Sequence, residues 1–272
     1  MAIYNEFYGF AEQPFNITPD PRFLFYSQRH REALNHMLFG VEERKGFIQV
    51  TGEVGAGKTT LCRAFLQGLG NAVTTGLIFN PCLTGYQLIR TILSEFGLKA
   101  PGNDRVRALE VLNEFLLAEF QTGHGIVLMI DEAQDLSPEL LEQVRLLSNL
   151  ETDQHKLLQI VLLGQPELRK ILARPKLRQL QQRITVRYHL DALSSSETEN
   201  YVFHRLHVAG VDSRDVFSSW ALRRIHSYSG GIPRLINVVC DKALLAGYVG
   251  GESQLTTRHV RQAVRELGGR LE

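Results

Sequence analysis

Eight residues from Gly52 to Thr59 read Gly-Glu-Val-Gly-Ala-Gly-Lys-Thr and fit the pattern G-x-x-x-x-G-K-[ST]. They follow the apolar, strand-like segment 46–51 and precede a helical pattern. Glycines allow the backbone to turn its N–H groups inward, and a helix N-terminus adds a positive end. The pattern therefore predicts a phosphate-binding loop, the Walker A motif. The residues predicted to contact the nucleotide are Gly52, Glu53, Val54, Gly55, Ala56, Gly57, Lys58, Thr59 and Thr60.

Two side chains of this loop have predicted roles in the chemistry. Lys58 would bridge the β- and γ-phosphates of ATP, and the Thr59 hydroxyl would hold Mg²⁺. The alternative is a glycine-rich turn that binds nothing. The Lys-Thr pair and the strand-then-helix context favour the phosphate loop.

Two carboxylates, Asp131 and Glu132, directly follow the continuous apolar run 125–130. Such a run is typical of a strand buried on both faces. Asp131 would orient the water shell of Mg²⁺, and Glu132 would polarise the attacking water, which implies hydrolysis of ATP to ADP. Alone, the pair would fit an ordinary acidic turn after a strand. Its occurrence after the phosphate loop favours the catalytic interpretation.

The composition is that of an ordinary globular protein of 272 residues, 44% of them hydrophobic. Thirty basic residues against twenty-nine acidic ones give a net charge of +1, so no overall charge favours nucleic acid or anionic lipid. The three cysteines, Cys62, Cys82 and Cys240, are not spaced as metal ligands, and this pattern is typical of a reducing cytoplasm. They are expected to be small residues of the core. No segment has the length of a membrane span, and the N-terminus lacks the order of a signal peptide.

Apolar runs that alternate with helical patterns predict an α/β fold with a parallel five-stranded sheet and helices on both faces. The predicted strands are 47–51, 74–80, 125–130, 157–163 and 184–190, and the predicted helices are 29–44, 58–69, 84–97, 104–121 and 138–150. After residue 190 only helical patterns remain, at 197–209, 216–228, 233–248 and 257–267. The chain is therefore predicted to form an α/β domain over 1–190 and a small all-α lid domain over 191–272.

Taken together, these motifs resemble the AAA+ ATPases over nearly the whole chain. More narrowly, the blocks 7–24, 46–60, 131–136 and 164–168 look like the ExeA family, which includes general secretion pathway protein A of type II secretion and the MSHA pilus biogenesis ATPase MshM. Known ExeA proteins continue into a membrane span and a periplasmic domain, for which the 272 residues show no expected counterpart. The chain is expected to be either a stand-alone relative of the MshM kind or an excised ATPase domain.

The resemblance implies further roles for two polar residues that follow predicted strands. Gln165 takes the place of the polar sensor, where Asn, Ser or Thr is common, and would orient water at the γ-phosphate. A surface turn residue is the alternative. Asn80 would hold Glu132 away from water until a partner binds, or it is simply a turn residue.

The resemblance also implies contacts from the lid and from the N-terminal segment 1–28. Arg234, which follows Pro233 at a predicted helix start, would reach the γ-phosphate and report the nucleotide state. Phe15, Ile17 and Tyr26 would wall the adenine pocket, although such an aromatic cluster is more often core.

Seven basic residues and no acidic residue lie between positions 169 and 187: Arg169, Lys170, Arg174, Lys176, Arg178, Arg183 and Arg187. Such a run is usually a solvated face. In AAA+ rings this region carries an arginine finger that completes the neighbouring active site. Arg183 is the first candidate for that role and Arg178 the second. The resemblance thus implies a homo-oligomer, with a hexameric ring as one form.

The expected partners are secretion or pilus assembly proteins at the inner membrane, to which a cytoplasmic ATPase would bind peripherally. Two other functions stay open. One is a DNA-handling AAA+ protein of the transposition-regulator type, which the basic run favours and the balanced net charge opposes. The other is a nucleotide-gated adaptor that seldom hydrolyses ATP, which Glu132 opposes.

Overall fold

The computed structural model describes residues 3–18, 20–70, 72–79, 84–152, 155–212 and 214–269. The chain forms two compact units. One consists of Arg31–Gly52 and Leu61–Leu190, and the other of Met1–His30, Glu53–Thr60 and Asp191–Glu272. The predicted domain boundary at residue 190 stays a prediction.

The first unit contains a five-stranded parallel sheet in the order β2-β3-β4-β1-β5. Its strands are β1 (Phe47–Gly52), β2 (Val73–Ile78), β3 (Gly125–Ile130), β4 (Gln159–Gly164) and β5 (Ile184–Leu190). Strands β3 and β4 are interior and carry near-continuous apolar side chains, because both faces are covered. The predicted α/β class and the five predicted strands are confirmed.

Twelve α-helices occur in the described part of the chain. They are α1 (Asn5–Tyr8), α2 (Gln28–Glu42), α3 (Lys58–Gly68), α4 (Gly85–Glu95), α5 (Arg105–Gln121), α6 (Pro138–Leu147), α7 (Glu167–Leu172), α8 (Arg178–Arg183), α9 (Ser195–Val208), α10 (Ser219–Ser229), α11 (Pro233–Gly250) and α12 (Thr257–Glu266). The short helices α7 and α8 were not predicted, because six residues are too few to show a helical period.

Alternation along β3 divides the apolar core of the sheet unit into two layers. Val127 and Met129 pack with Met37 of α2 and Phe65 of α3 on one face. The even-numbered residues of β3, such as Leu128, pack on the other face with helices α4, α5 and α6. Helices therefore cover both faces of the sheet, as the sequence predicts.

The second unit is built around helices α9 to α12 and the N-terminal segment. Tyr4, Tyr8, Phe10 and Phe15 belong to one apolar core with these helices. The Tyr8 hydroxyl donates to the carbonyl of Leu244 at 3.1 Å. The start of the chain is thereby fixed to its last helices.

Local hydrogen bonds set the starts of several helices. The Ser137 side chain accepts a hydrogen bond from the N–H of Leu140, and Pro138 is the first residue of α6. Ser194 forms a capping box with Glu197 at the start of α9. Helix α10 was predicted from residue 216 but begins at Ser219, because Ser218 is its N-cap. Among the described residues, none of the helices combines the length and the apolar character that a membrane crossing requires.

Candidate functional site

The predicted phosphate loop connects the end of β1 at Gly52 to the first residue of α3, Lys58. Gly55 and Gly57 have φ angles of +80° and +99°. These values lie in or near the left-handed region, which glycine adopts without strain and other residues avoid. The local backbone is therefore of the kind that directs successive N–H groups to one side.

Close neighbours also restrict the two glycines to their small size. A Cβ atom on Gly55 would lie 2.4 Å from the Cβ of Arg234, and one on Gly57 would lie 3.1 Å from Nε2 of His30. A substitution at Gly55 would therefore displace the backbone as well as strain it. The loop fits a phosphate group, because it combines a glycine cradle with a helix N-terminus.

Lys58 is 6% exposed, and its ammonium group donates to the carbonyl of Glu53 at 3.1 Å. The same carbonyl accepts the N–H of Ala56 at 3.1 Å. Both bonds keep residues 53–58 in one compact turn. The lysine is positioned at the start of α3, where the sequence pattern expects it.

Arg234 lies at the second position of helix α11, after Pro233, as the sequence predicts. Its backbone N–H donates to the carbonyl of Gly55 at 3.2 Å, and its side chain is exposed. Helix α11 therefore starts directly on the phosphate loop. Gly231, shortly before the helix, packs against the backbone of Leu193, since a Cβ there would lie 2.0 Å from its carbonyl oxygen.

His30 is a further neighbour of the loop that the sequence interpretation missed. It is 4% exposed and shares a hydrogen bond of 2.7 Å between its Nδ1 and the Ser27 hydroxyl. Burial lowers the pKa of His30 below its usual value, and a hydrogen bond with the backbone of Ala56 opposes this shift. One signal existed, since the short spacing Ser27 to His30 is typical of a helix start.

The second group of predicted residues follows β3. Asp131 is 4% exposed, its N–H donates to the carbonyl of Ile78 at 2.9 Å, and its Oδ1 accepts the N–H of Glu132 at 2.9 Å. The carboxylate thus lies at the carboxyl edge of the sheet. Ligands of parallel α/β sheets usually bind at this edge.

Glu132 has a left-handed backbone, with φ 50° and ψ 41°. This conformation costs a residue other than glycine about 1–2 kcal/mol. Its Oε2 accepts from the Gln134 amide at 2.7 Å and from the Gln165 amide at 3.3 Å. Two neutral donors therefore fix the carboxylate that the sequence assigns to water activation.

Gln134 connects this network and was not given a role from the sequence. Its Nε2 donates to Glu132, and its Oε1 accepts the backbone N–H of Gln165 at 2.9 Å. The structure brings Glu132 and Gln165 together, and Gln165 contacts that carboxylate. Asn80, predicted to hold Glu132, lies outside the described residues.

The two arginine-finger candidates differ in their surroundings. Nη1 of Arg183 donates to the hydroxyl of the buried Ser148 at 2.6 Å. Arg178, at the start of α8, is exposed. Arg183 would have to leave Ser148 before it could reach a neighbouring subunit, so its role stays a prediction.

The predicted adenine-wall residues also differ from one another. Phe15 is 2% exposed and packs edge-to-face against Phe217 in the helical core. Ile17 and Tyr26 are 58% and 43% exposed. Phe15 has little surface left for a ligand, whereas the other two have surface available, and the adenine role stays a prediction.

The donor set suits Mg²⁺ chemically. Thr59 and Asp131 would supply a hydroxyl and a carboxylate, and Mg²⁺ prefers hard oxygen ligands and takes the rest from water and phosphates. In the ranges that the structure covers, no group of three or more His, Cys, Asp or Glu side chains could hold a metal. A magnesium ion held with a nucleotide needs no such group.

The sequence matches known proteins in two comparisons. Residues 41–172 match a family described as the AAA domain. Over 268 residues, 98% of this chain, the sequence is 46% identical to general secretion pathway protein A from Aeromonas hydrophila. The chain spans about half of that relative, 49% of its length.

Solved structures share the fold at low identity. Cdc6p from Pyrobaculum aerophilum has a TM-score of 0.71 at 16% identity, with 93% of this chain and 70% of that chain covered. The Drosophila ORC structure bound to DNA has a TM-score of 0.71 at 19% identity, covering 94% and 65%. The RuvB branch migration motor of Thermotoga maritima has a TM-score of 0.59 at 18% identity, covering 89% and 70%. These matches support the fold alone.

Proposed function

We propose that this chain, which belongs to the ExeA family of AAA+ proteins, binds ATP in the loop 52–60 and hydrolyses it in a Mg²⁺-dependent reaction. The observation that carries the proposal is the loop itself. Gly55 and Gly57 have positive φ angles, and Lys58 starts the following helix. This geometry binds phosphate through backbone N–H groups and a helix N-terminus.

In the proposed reaction, Lys58 and the loop N–H groups hold the β- and γ-phosphates, and Glu132 accepts a proton from the attacking water. Thr59 and Asp131 would hold Mg²⁺, which offsets the phosphate charge when bound. Gln134 and Gln165 keep the Glu132 carboxylate in one orientation. Arg234, at the lid helix, would contact the nucleotide and sense its state.

The proposed biological role is ATP-driven assembly of a type II secretion apparatus or an MSHA-type pilus, through partner proteins at the inner membrane. The similarity to general secretion pathway protein A supports the secretion role. We further propose that the chain works as a homo-oligomer in which Arg183 or Arg178 completes a neighbouring site.

The first test is steady-state ATP hydrolysis per protomer, measured against protein concentration with Mg²⁺, with Glu132→Gln as the blank. A steep rise with concentration that the blank lacks supports an active site completed between subunits. Hydrolysis equal in the blank would contradict the role of Glu132. Absence of ATP binding by equilibrium dialysis would contradict the whole proposal.

The finger assignment has its own test. Replacing the correct arginine should leave ATP affinity unchanged and lower turnover by about 10³- to 10⁵-fold. Arg183→Ala and Arg178→Ala are compared, with Arg174→Ala as a control that removes the same charge from the same basic run. Loss of nucleotide binding in Arg183→Ala would contradict a role in trans.

A further inference from the structure

Strand β1 carries two polar side chains where an interior parallel strand usually carries apolar ones. It lies between β4 and β5, and its residues Ile48 and Val50 are fully buried on one face. Gln49 and Thr51, on the opposite face, are only 6% and 1% exposed. Buried polar groups in such a position are costly unless they have a partner.

The neighbouring edge strand continues this polar surface. The register pairs Gln49 with Arg187 and Thr51 with His189, so the four side chains share one face of the sheet. The Thr51 hydroxyl lies 2.9 Å from Nδ1 of His189, which satisfies it. Within the described residues, the side-chain amide of Gln49 has no hydrogen-bond partner.

The Gln49 amide lines a cavity of about 630 Å³ within the sheet unit. Arg169 and Lys170 of α7 and Arg187 of β5 also line this cavity. The lining contains no carboxylate. In the described ranges, no carboxylate forms a salt bridge with any of these three cations.

We propose that this cavity binds a small ligand that carries phosphate groups, at a site separate from the loop 52–60. The three cations supply the charge-assisted hydrogen bonds that phosphate oxygens accept. Nη2 of Arg187 already donates to the carbonyl of Gln181 at 2.6 Å, which holds the guanidinium in place and leaves its other N–H groups for a ligand. The Gln49 amide, which also lines the cavity, adds a further donor. The volume lies within the range typical of small-molecule sites.

A nucleic-acid backbone presents the same phosphate chemistry but fits the cavity less well. Backbone recognition uses extended basic surfaces, whereas the three cations and the unpartnered amide here line a single cavity. The net charge of +1 also gives no general attraction for nucleic acid. These features favour a small ligand.

The test is isothermal titration calorimetry of the full chain with inorganic tripolyphosphate at physiological salt. Lys58→Ala weakens the phosphate loop and leaves the cavity intact. Arg187→Gln and Gln49→Leu alter the cavity and leave the loop intact. Arg174→Gln removes the same charge from the same basic run but does not line the cavity. Thermal melting of every variant confirms folding, and Arg187→Gln suffices if Gln49→Leu does not fold.

We expect tripolyphosphate to bind the Lys58→Ala chain, and we expect Arg187→Gln in that background to weaken this binding by about tenfold or more. Arg174→Gln should leave it within about twofold. Equal weakening by Arg174→Gln would indicate general charge attraction and overturn the proposal. Absence of binding to Lys58→Ala would overturn it too.

A single-stranded oligonucleotide is the comparison ligand. Arg187-dependent binding of the oligonucleotide without tripolyphosphate binding would assign the surface to nucleic acid and overturn the small-ligand proposal. Because ATP hydrolysis is measured separately, failure of the loop and failure of the cavity give different results.

Discussion

The phosphate loop and the carboxylate edge of the sheet are fixed in different ways. In the loop, backbone conformation decides the geometry, since Gly55 and Gly57 adopt angles that other residues avoid. At the sheet edge, side chains decide it, since the amides of Gln134 and Gln165 hold the Glu132 carboxylate. Gly55 and Gly57 should therefore tolerate almost no substitution, whereas substitutions at the sheet edge should have graded effects.

The largest loss of ATP affinity is expected from Gly55→Ala. The new Cβ would lie 2.4 Å from the Cβ of Arg234, at a φ of +80°, so the loop must change shape. We expect ATP affinity to fall by about 100-fold or more, because both the cradle and the lid contact are displaced. Equilibrium binding of a fluorescent ATP analogue measures this loss.

Gly70→Ala is the matched control for that variant. Gly70 also has a positive φ, of +66°, but nothing lies within 4 Å of its Cβ position. Gly70 follows helix α3 and lies outside the loop, so similar backbone strain there should leave ATP affinity nearly unchanged. Equal losses of affinity would show that the effect of Gly55→Ala is not specific to the loop, and the difference between the two regions would then weaken.

The largest loss of turnover at the sheet edge is expected from Glu132→Gln. Removal of the proton acceptor should lower turnover by about 10²- to 10⁴-fold and leave ATP affinity nearly unchanged. Single-turnover hydrolysis with ATP in excess of the dissociation constant measures this. Asp135→Asn, an exposed carboxylate on the same turn, should retain normal turnover. A loss of turnover in Asp135→Asn would show that negative charge near the sheet edge, and not the Glu132 carboxylate itself, supports hydrolysis.

Gln134→Ala should have an intermediate effect of about tenfold on turnover, since a misplaced catalytic group is slower but present. ATP affinity should not change, because Gln134 contacts Glu132 and Gln165. Steady-state kinetics separate kcat from KM. Gln121→Ala, an exposed glutamine at the end of α5, is the control. A rise in KM alone would contradict a positioning role.

The smallest effect concerns pH. The pKa of His30 is lowered in the folded chain, so the unfolded chain binds a proton that the folded chain does not. Stability is therefore full above the usual pKa of 6.5 and falls as the pH drops below it. His30→Gln should reduce this dependence by at most about 1.4 kcal/mol per pH unit. Thermal melting of both chains from pH 8 to pH 5 measures the difference, and parallel curves would contradict it.

The two regions also differ in how far the sequence predicts them. The strands and the phosphate loop follow from local patterns, because a buried parallel strand is continuously apolar and a left-handed turn needs glycine. The contacts of Gln134 and His30 do not, because each depends on where a distant segment packs. The same holds for Gln49, whose polar side chain looks like an ordinary exception within an apolar run.

The shortness of some helices also limited what the sequence could predict. Helices α7 and α8 have six residues each, fewer than two helical turns. The basic run appeared as one stretch of charge, and only the fold assigns its members to different elements. Arg183 contacts Ser148, whereas Arg187 lines the cavity beside β1. Charge counts alone could not separate these two environments.

The packing of Tyr4, Tyr8, Phe10 and Phe15 with helices α9 to α12 has a consequence for synthesis. This aromatic segment leaves the ribosome well before helices α9 to α12, and it finds its partners only after those helices have followed. Chains fold as units during synthesis, at about 5–20 residues per second. The aromatic N-terminus therefore waits on the order of ten seconds with its apolar surface uncovered. During that interval it is a natural target for chaperones.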